Sequence, residues 1–367
     1  MSRPHGGASP PRDRVDVLHV ASGTTGGWRG YDLLLAESLE RLGLSVHRVG
    51  ISRPSGGWIK RQSYLGMDLY DALAMVVAAR RGLRRVQPRA IFYSTSHGTI
   101  FQPRRREPEA VWLDGPIAIM RPGRKAAPLR WIERLRSRRL TLVLPISVQH
   151  PARLAEPLRP RRTIPLPIPV EPSDGPAPPL GGVLPPYGVV YAAAAPRKKG
   201  LDLAVAAWDA SSATGSLVVT GAEPDDARRF LAGAGVRPSN RVVFAGRVPA
   251  PEHRALIREA AVYVSASRRE EYGTTQLEAL SDGVPVAAVP SAGAPEPVAV
   301  IRRLPGDLVA TEVSVAALTR VIDSALEMTE AERESYRHAA RAVMAGYGRE
   351  AFERRLANEV VPVLLPS

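Results

Sequence analysis

The stretch that decides the fold is VYVSASRREEYGTTQLEALSDGVPVAAV, which runs from Val262 to Val289. Its first part, VYVSAS, is short, apolar and rich in β-branched residues, which predicts a strand buried on both faces. TTQLEALSDG has the spacing of an amphipathic helix that ends at Gly283. PVAAV is a second buried strand. The stretch is therefore one strand–loop–helix–strand unit of a parallel sheet.

The loop SRREEYGTT carries the polar groups of this unit. In open α/β sheets, ligands bind beyond the carboxyl ends of the strands, where helix N-termini also lie. Gly273 suits a backbone position with positive φ or close to a ligand, and we expect Thr274 or Thr275 to cap the helix. Together with Glu270 and Glu271, these residues form a candidate site for a polar, phosphorylated ligand.

Length and composition limit the class of protein. A chain of 367 residues predicts two domains, and 44% hydrophobic with 23% charged residues indicates a globular protein. The absence of cysteine excludes disulfides, thiolate catalysis and cysteine-ligated zinc. The sequence has no apolar run of about 18 residues and its first dozen residues are polar, so we expect neither a spanning helix nor a signal peptide. A cytoplasmic protein is the simplest prediction.

The net charge of +14 is unevenly distributed. The segment between Phe101 and Arg162 contains fifteen basic and five acidic residues, which gives it a net charge of +10. Such a segment suits an anionic membrane surface or an anionic acceptor, which would make the protein peripheral to the inner face of a membrane. A solvated face without a partner is the alternative. Nucleic acid is not a predicted partner, because only 5% of the residues are aromatic.

The chain begins with a βαβ pattern. VDVLHV is a predicted strand, ASGTTGGWRG a glycine-rich turn, YDLLLAESLERLG a helix and SVHRVGI a strand. The glycines do not have the G-x-G-x-x-G spacing of a dinucleotide site. We interpret the pair Gly26–Gly27 as a place where backbone amides approach a phosphate or sugar, with a ligand-free tight turn as the alternative.

The alternation of strands and helices is interrupted once. Residues Thr163–Gly188 are dense in proline and glycine, which predicts a linker and not a core element. Two doubly wound α/β domains joined by such a hinge would face each other across a cleft. The predicted parts are a disordered tail (1–12), a first Rossmann-like domain (13–170), a hinge (171–187), a second Rossmann-like domain (188–345) and a C-terminal helix (346–367) that could pack back on the first domain.

Two of only four lysines lie side by side after the strand GVVYAAAA, in the turn PRKKG. Lys198 and Lys199 precede Gly200 and a predicted helix. A lysine beside the amides of a helix terminus is suited to holding a diphosphate. A solvated turn is the alternative interpretation.

The second half of the chain resembles retaining glycosyltransferases of the GT-B fold, family 4 (glycosyl transferases group 1). The family's KG pair falls on Lys199 and Gly200, its V-x-F-x-G strand ends at Gly246, and its E-x7-E motif falls on Glu270 and Glu278. The GG–Tyr31–LLLAESL segment is similar to the family's N-terminal loop and helix. The resemblance covers nearly the whole chain and implies two Rossmann-like domains, the first for the acceptor and the second for a nucleotide sugar.

The resemblance also implies roles for single residues. Glu278 would bind the ribose hydroxyls of the donor, and Glu270 would contact the transferred sugar. Lys199 and Arg197 would neutralise the leaving diphosphate. The remaining donor-binding residues are Gly27, Gly246, Gly273, Thr274 and Thr275. Stabilisation of a leaving group by fixed charges needs neither a metal nor a cofactor, and no histidine cluster or D-x-D pair is present.

The sequence departs from the family pattern at two positions. Ala194 stands where the family has an arginine, and Arg197 or Arg247 could supply the missing guanidinium. Asp114 stands where the family often has a histidine near the reacting carbon; it could orient or deprotonate the acceptor hydroxyl, or cap a turn. His97 is the alternative on the acceptor side, although a lone histidine of this kind is commonly structural, and Arg121 is a third acceptor-side candidate.

These observations predict an enzyme of the hexosyltransferase type. It would move a sugar from a nucleotide diphosphate to a hydroxyl of a glycan, glycolipid or small molecule, without a metal and with retention of configuration. A GT-B epimerase or phosphorylase is one alternative. The other is a non-catalytic protein that binds sugar nucleotides or anionic surfaces.

Overall fold

The computed structural model describes residues 13–23, 26–51, 64–121, 123–177, 181–193, 195–293 and 296–366. These form two compact units. The first comprises the described residues up to Pro167 and from Glu353 onward, and the second is Ile168–Phe352. The predicted tail and Ala194 lie outside the described residues. Within the described ranges, no helix is both long and apolar enough to cross a lipid bilayer.

The first unit contains a parallel sheet of five described strands in the order β2–β1–β3–β4–β5. The strands are β1 (Asp13–Ala21), β2 (Val46–Gly50), β3 (Val86–Tyr93), β4 (Glu109–Leu113) and β5 (Leu142–Pro145). The helices between them are α1 (Gly26–Arg41), α2 (Tyr64–Arg85), α3 (Ile117–Met120), α4 (Ala127–Ser137) and α5 (Pro151–Ala155). Short 3-10 turns lie at Ser96–Thr99, Arg124–Ala126 and Glu156–Leu158.

Two predictions for this unit are wrong in detail. The glycine-rich turn is shorter than expected, because α1 begins at Gly26. The beginning of the proline-rich segment belongs to the core: Leu166 is fully buried, and its N–H donates to the Pro145 carbonyl at 2.8 Å. The Trp112 indole N–H donates to the Leu166 carbonyl at 2.7 Å. Apolar residues alternate with prolines there, so the segment runs beside β5 without needing a full set of backbone donors.

The second unit contains another five-stranded parallel sheet, in the order β11–β9–β6–β7–β8, and a two-stranded β10–β12 pair. The strands are β6 (Gly188–Tyr191), β7 (Leu217–Thr220), β8 (Val242–Gly246), β9 (Val262–Ser265), β10 (Arg269–Glu270), β11 (Val286–Ala288) and β12 (Ala292–Gly293). The helices are α6 (Pro196–Lys199), α7 (Leu201–Ala210), α8 (Pro224–Gly233), α9 (Ala250–Glu259), α10 (Thr274–Asp282), α11 (Glu296–Ile301), α12 (Val315–Leu326) and α13 (Glu330–Met344).

The C-terminal segment is interrupted. A 3-10 turn (Ala345–Tyr347) leads into α14 (Arg349–Arg355), a π-helical turn (Leu356–Val360) and α15 (Val361–Leu364). The boundary between the two units falls within α14.

The centre of the second sheet determines where its polar groups collect. Successive connections leave β6 toward β7 and β8 on one side, and toward β9 and β11 on the other. The carboxyl ends of β6 and β9 therefore form a topological switch point, where ligands of doubly wound sheets bind. The lysine turn follows β6 and the two-glutamate loop follows β9, so both lie at this edge.

Candidate active site

The lysine turn is pressed against the segment that follows β9. Gly200 has φ +68°, and a Cβ atom at this position would lie 2.0 Å from the carbonyl oxygen of Ala266. No side chain fits in that gap, and the positive φ independently favours glycine. The glycine of the KG pair thus allows the backbone of one strand end to contact that of the other.

Arg268 fastens the same two segments together. Its backbone N–H donates to the Lys198 carbonyl at 2.9 Å, and its guanidinium donates to the Arg197 carbonyl at 3.1 Å. The guanidinium also forms a two-pronged pair with Asp202, at 2.8 and 2.7 Å. Burial opposes ionisation of Asp202, but the hydrogen bonds and charge of Arg268 outweigh it and lower the pKa of this carboxyl. Sequence reasoning did not single out Arg268.

The two lysines pair with the two glutamates. Lys199 Nζ lies 2.6 Å from Glu270 Oε2, and Lys198 forms a short ion pair with Glu271. The Glu270 carboxylate is 6% exposed as a residue and also accepts from Ser267 Oγ at 3.2 Å. The structure therefore brings the predicted phosphate-binding cation and the predicted sugar-binding carboxylate into direct contact.

The backbone of Glu270 is held by the small β10–β12 ladder. Glu270 pairs with Gly293, whose φ is +108°, and a Cβ at Gly293 would lie 2.0 Å from the Glu270 carbonyl oxygen. Since only glycine fits there, Glu270 is fixed by its main chain as well as by Lys199. The sequence contained no strong signal for these two-residue strands.

The N-terminus of α10 begins at the same loop. Its N-cap is Gly273, with φ +95°, so the prediction that Thr274 or Thr275 caps the helix is wrong. A left-handed backbone at this position excludes a β-branched residue such as threonine. Both threonines instead occupy the first turn, where backbone N–H groups point out of a helix. This position suits the predicted contact of their amides with an anion.

Glu278 lies in the second turn of α10. Burial raises the pKa of its carboxyl, with Asp282 adding to the effect and Arg254 opposing it. The side chain nevertheless remains 25% exposed and accessible to a ligand. A carboxyl of raised pKa that is still accessible is suited to exchanging hydrogen bonds with sugar hydroxyls.

Arg254, on α9, is the guanidinium that sequence reasoning missed. It lies 3.7 Å from Glu278 Oε1 and donates to both oxygens of Asp282 at 3.0 Å. It also donates to the Glu171 carbonyl at 2.9 Å. Its contact with Glu278 joins residues 24 positions apart on two helices, which no local pattern reveals.

The other proposed guanidiniums lie at the surface. Arg197 is exposed on α6, and Arg247 pairs with Glu223 at 3.3 Å on an exposed face. Gly246 ends β8 with φ +73° and accepts a hydrogen bond from the Gly221 N–H. Their roles in donor binding stay predictions. Arg254, whose side chain is 14% exposed, is a less exposed alternative.

In the first unit, His97 is not a lone histidine. Its Nε2 lies 3.5 Å from Asp68 Oδ1, and Asp68 also pairs with Arg121, with Nε 2.9 Å from Oδ2. Burial opposes protonation of His97, but Asp68 outweighs it, and Glu133 and Asp114 add to the rise in the pKa of the imidazole. The predicted residues His97, Asp114 and Arg121 thus belong to one electrostatic cluster.

Asp68 and Glu133 complete this cluster and were not predicted. Glu133 is buried, and both of its oxygens accept from the Ile117 N–H, at 3.0 and 3.2 Å. Burial raises the pKa of its carboxyl. Gly27 lies elsewhere in the first unit, in the first turn of α1, and its part in a phosphate cradle stays a prediction. Within the described ranges, no group of three or more His, Asp or Glu side chains is arranged to hold a metal.

Comparison with known proteins identifies the second unit. Residues 184–343 match the family described as glycosyl transferases group 1. The matched residues all lie within the second unit. The predicted resemblance to glycosyl transferases group 1 is thereby confirmed for this part of the chain.

One curated relative extends the comparison. A 2-deoxystreptamine N-acetyl-D-glucosaminyltransferase from Streptomyces fradiae is 30% identical over 155 residues, which are 41% of this chain and 36% of that protein. The match thus spans about a third of the length of this curated relative.

Solved structures show that the fold is GT-B. Sucrose-phosphate synthase from Thermosynechococcus elongatus has a TM-score of 0.70 at 16% identity, covering 94% of this chain and 98% of that one. HepE from Anabaena, in complex with UDP and glucose, has a TM-score of 0.66 at 15% identity, with the same coverage of both chains. The predicted fold of two Rossmann-like sheets is confirmed.

Proposed function

We propose that this protein is a retaining, metal-independent glycosyltransferase that moves a sugar from a nucleoside diphosphate to an acceptor hydroxyl. The observation that carries the proposal is the ion pair between Lys199 and Glu270 at the N-terminus of α10, with Glu278 one helical turn beyond Thr274. A cation and helix-terminal amides suit the diphosphate of a nucleotide sugar, and the two carboxylates suit its sugar and its ribose.

Each group has a role that follows from its chemistry. Lys199 leaves Glu270 and binds oxygens of the diphosphate. The backbone N–H groups in the first turn of α10 donate hydrogen bonds to the other phosphate oxygens. Glu270, released from part of its pairing, orients hydroxyls of the transferred sugar. Glu278 accepts hydrogen bonds from the ribose hydroxyls, with Arg254 holding its orientation.

The reaction balances without a base–nucleophile pair. The bond between the anomeric carbon and the β-phosphate oxygen breaks, and a bond to the acceptor oxygen forms on the same face. The departing phosphate takes the proton of the acceptor hydroxyl. Lys199 stabilises the negative charge that develops on this leaving group, which is catalysis by fixed charges.

Donor and acceptor classes are proposed from the relatives and from the first unit. HepE was crystallised with UDP and glucose, and the Streptomyces relative is named for N-acetyl-D-glucosamine and 2-deoxystreptamine. UDP-sugars are therefore the first donors to test, with an aminocyclitol among the acceptors. We assign acceptor recognition to Asp114, His97 and Arg121, and we propose an anionic membrane surface or lipid-linked acceptor as the partner of the basic segment.

Calorimetric titration with a panel of nucleotide sugars, together with slow donor hydrolysis, tests the proposal. We expect the wild type to bind one donor selectively. Lys199→Ala should weaken donor binding about 100-fold, because a charge-assisted contact to phosphate is lost. Glu278→Ala should weaken binding through the ribose without abolishing affinity for the free diphosphate.

Lys198→Ala is the matched control, because it removes the same charge one residue away and takes a partner from Glu271, which keeps Arg269, instead of from Glu270. It should change donor binding less than about fivefold, as an exposed ion pair contributes little. Equal losses in both lysine variants, or no donor bound by the wild type, would contradict the proposal. Retention is checked by NMR of the product's anomeric proton, and metal independence by unchanged turnover in EDTA.

A further inference from the structure

The inner face of helix α4 packs against the rest of the first unit. Leu129 and Ile132 pack against a small apolar cluster formed by Ala72, Ile100, Ile117 and Ala126. Glu133 and Arg136, on the same side of the helix, are buried and hydrogen-bonded. These contacts fix the helix on the first unit and determine which side chains point outward.

The outer face of α4 exposes a large aromatic side chain. Trp131 is 64% exposed and Leu135, one turn later, is 37% exposed. Pro128 and Arg138 lie on the same stripe at the spacing of three or four residues that brings side chains together on a helix. An exposed tryptophan beside an exposed leucine on one helix face is typical of a surface that contacts an apolar phase.

The charges around this stripe have one sign. Between Gly123 and Leu140 the exposed or half-exposed ionisable residues are all basic: Arg124, Lys125, Arg130, Arg134, Arg138 and Arg139. The one acid in this range, Glu133, is buried. Desolvation and the positive charges of Arg159 and Arg138 lower the pKa of Arg134, which reports crowding of like charges.

We propose that the outer face of α4, formed by Trp131, Leu135 and the flanking arginines, docks on the surface of an anionic lipid bilayer. Arginines attract the headgroups, and the indole and leucine enter the interface, where amphipathic aromatic rings are stabilised. This inference gives the anionic partner proposed above a location, and it does not require transferase activity. A second copy of this chain fits the face poorly, because the same positive charges would meet.

Co-sedimentation with vesicles tests the docking face. We expect binding to phosphatidylcholine vesicles that contain phosphatidylglycerol, no binding to phosphatidylcholine alone, and loss of binding as salt screens the charges. Trp131→Ala should weaken partitioning about tenfold through lost apolar contact. The double variant Arg138→Ala/Arg139→Ala should weaken it by about tenfold or more.

The double variant Arg228→Ala/Arg229→Ala is the matched control, because it removes two exposed arginines from a helix of the second unit. It should bind vesicles like the wild type. Brominated lipids should quench the tryptophan fluorescence of the wild type, and Trp131→Ala should abolish that quenching.

Three outcomes would overturn the proposal. They are no preference for anionic vesicles, equal losses in the two arginine double variants, and unchanged binding and quenching in Trp131→Ala. Self-association that Trp131→Ala abolishes would assign the face to a second copy and also overturn it. Nucleotide-sugar titration in solution should be unchanged in all these variants, so a failure here is distinguishable from a failure of the donor site.

Discussion

The polar clusters of the two units differ in their balance of basic and acidic side chains. In the second unit, the basic side chains at the switch point pair closely with carboxylates: Lys199 with Glu270, Lys198 and Arg269 with Glu271, and Arg268 with Asp202. In the first unit, His97 interacts with three carboxylates, and Arg121 pairs with one of them, Asp68. The first cluster therefore has an excess of acid within a strongly basic segment.

Two histidines, one in each unit, have pKa values shifted in opposite directions. In the first unit, the carboxylates raise the pKa of His97 against the effect of burial. In the second, burial and the positive charge of Arg254 lower the pKa of His253 to about 4. We infer that the second cluster is matched to a ligand bringing negative charge, and the first to one bringing hydroxyl or amino groups.

The largest expected effect concerns the close approach at Gly200. In Gly200→Ala the new Cβ would collide with the Ala266 carbonyl, so we expect the free energy of unfolding to fall by roughly 4 kcal/mol. Donor binding should be lost as well. Gly235→Ala is the control, because Gly235 also has positive φ but nothing within 4 Å of the added Cβ. It should cost about 1 kcal/mol. Urea unfolding measures the stability of both variants. Similar losses would show that glycine is required at position 200 for its backbone conformation and not for its contact with Ala266.

A somewhat smaller effect is expected at Arg254. Its removal leaves the Asp282 carboxylate, whose side chain is fully buried, without its guanidinium, so Arg254→Ala should lose roughly 3 kcal/mol of stability. Arg258→Ala, one turn along α9, should lose about 1 kcal/mol, since Arg258 contacts Ser173 and the Gly175 carbonyl nearer the surface.

A separate measurement tests whether Arg254 also orients the Glu278 side chain. If Arg254 orients Glu278, the effects of Arg254→Ala and Glu278→Gln on donor affinity should be less than additive. Additive effects, measured by calorimetry in a double-mutant cycle, would assign Arg254 a purely structural role.

The smallest expected effect is the opposite response of the two units to pH. The pKa of His97 is raised, so its contribution to stability is present below its unfolded value of about 6.5 and is lost as pH rises through the folded value. The pKa of His253 is lowered, so its contribution is present above about 6.5 and is lost as pH falls toward 4. NMR titration of the imidazoles should show the two shifts, and Asp68→Asn should lower the pKa of His97 alone. Identical titration of both histidines would refute the contrast.

The elements with strong local signals were predictable. The apolar runs at β6, β9 and β11 and the helix ending at Gly283 follow from burial and backbone chemistry, and the structure has them where expected. The lysine turn was found because lysine is rare in this composition, and the E-x7-E pair was found through the resemblance to the family.

Contacts between distant segments were not predictable in the same way. Arg254 meets Glu278, and Asp68 meets His97, through packing of helices that single-sequence patterns do not determine. The helix cap shows a different limit. Threonine is a good N-cap, but the conformation required at residue 273 is one that threonine does not adopt, and this requirement comes from the fold around it.

The pairing of Lys199 with Glu270 has a consequence for selectivity. Because the cation is already neutralised, free phosphate must displace the carboxylate to bind, and it brings no further contacts to compensate. In the donor site proposed above, a nucleotide sugar would also supply ribose hydroxyls for Glu278 and sugar hydroxyls for Glu270, which would offset the exchange. We therefore expect simple inorganic anions to bind weakly at Lys199, because the Glu270 carboxylate competes with them for this cation.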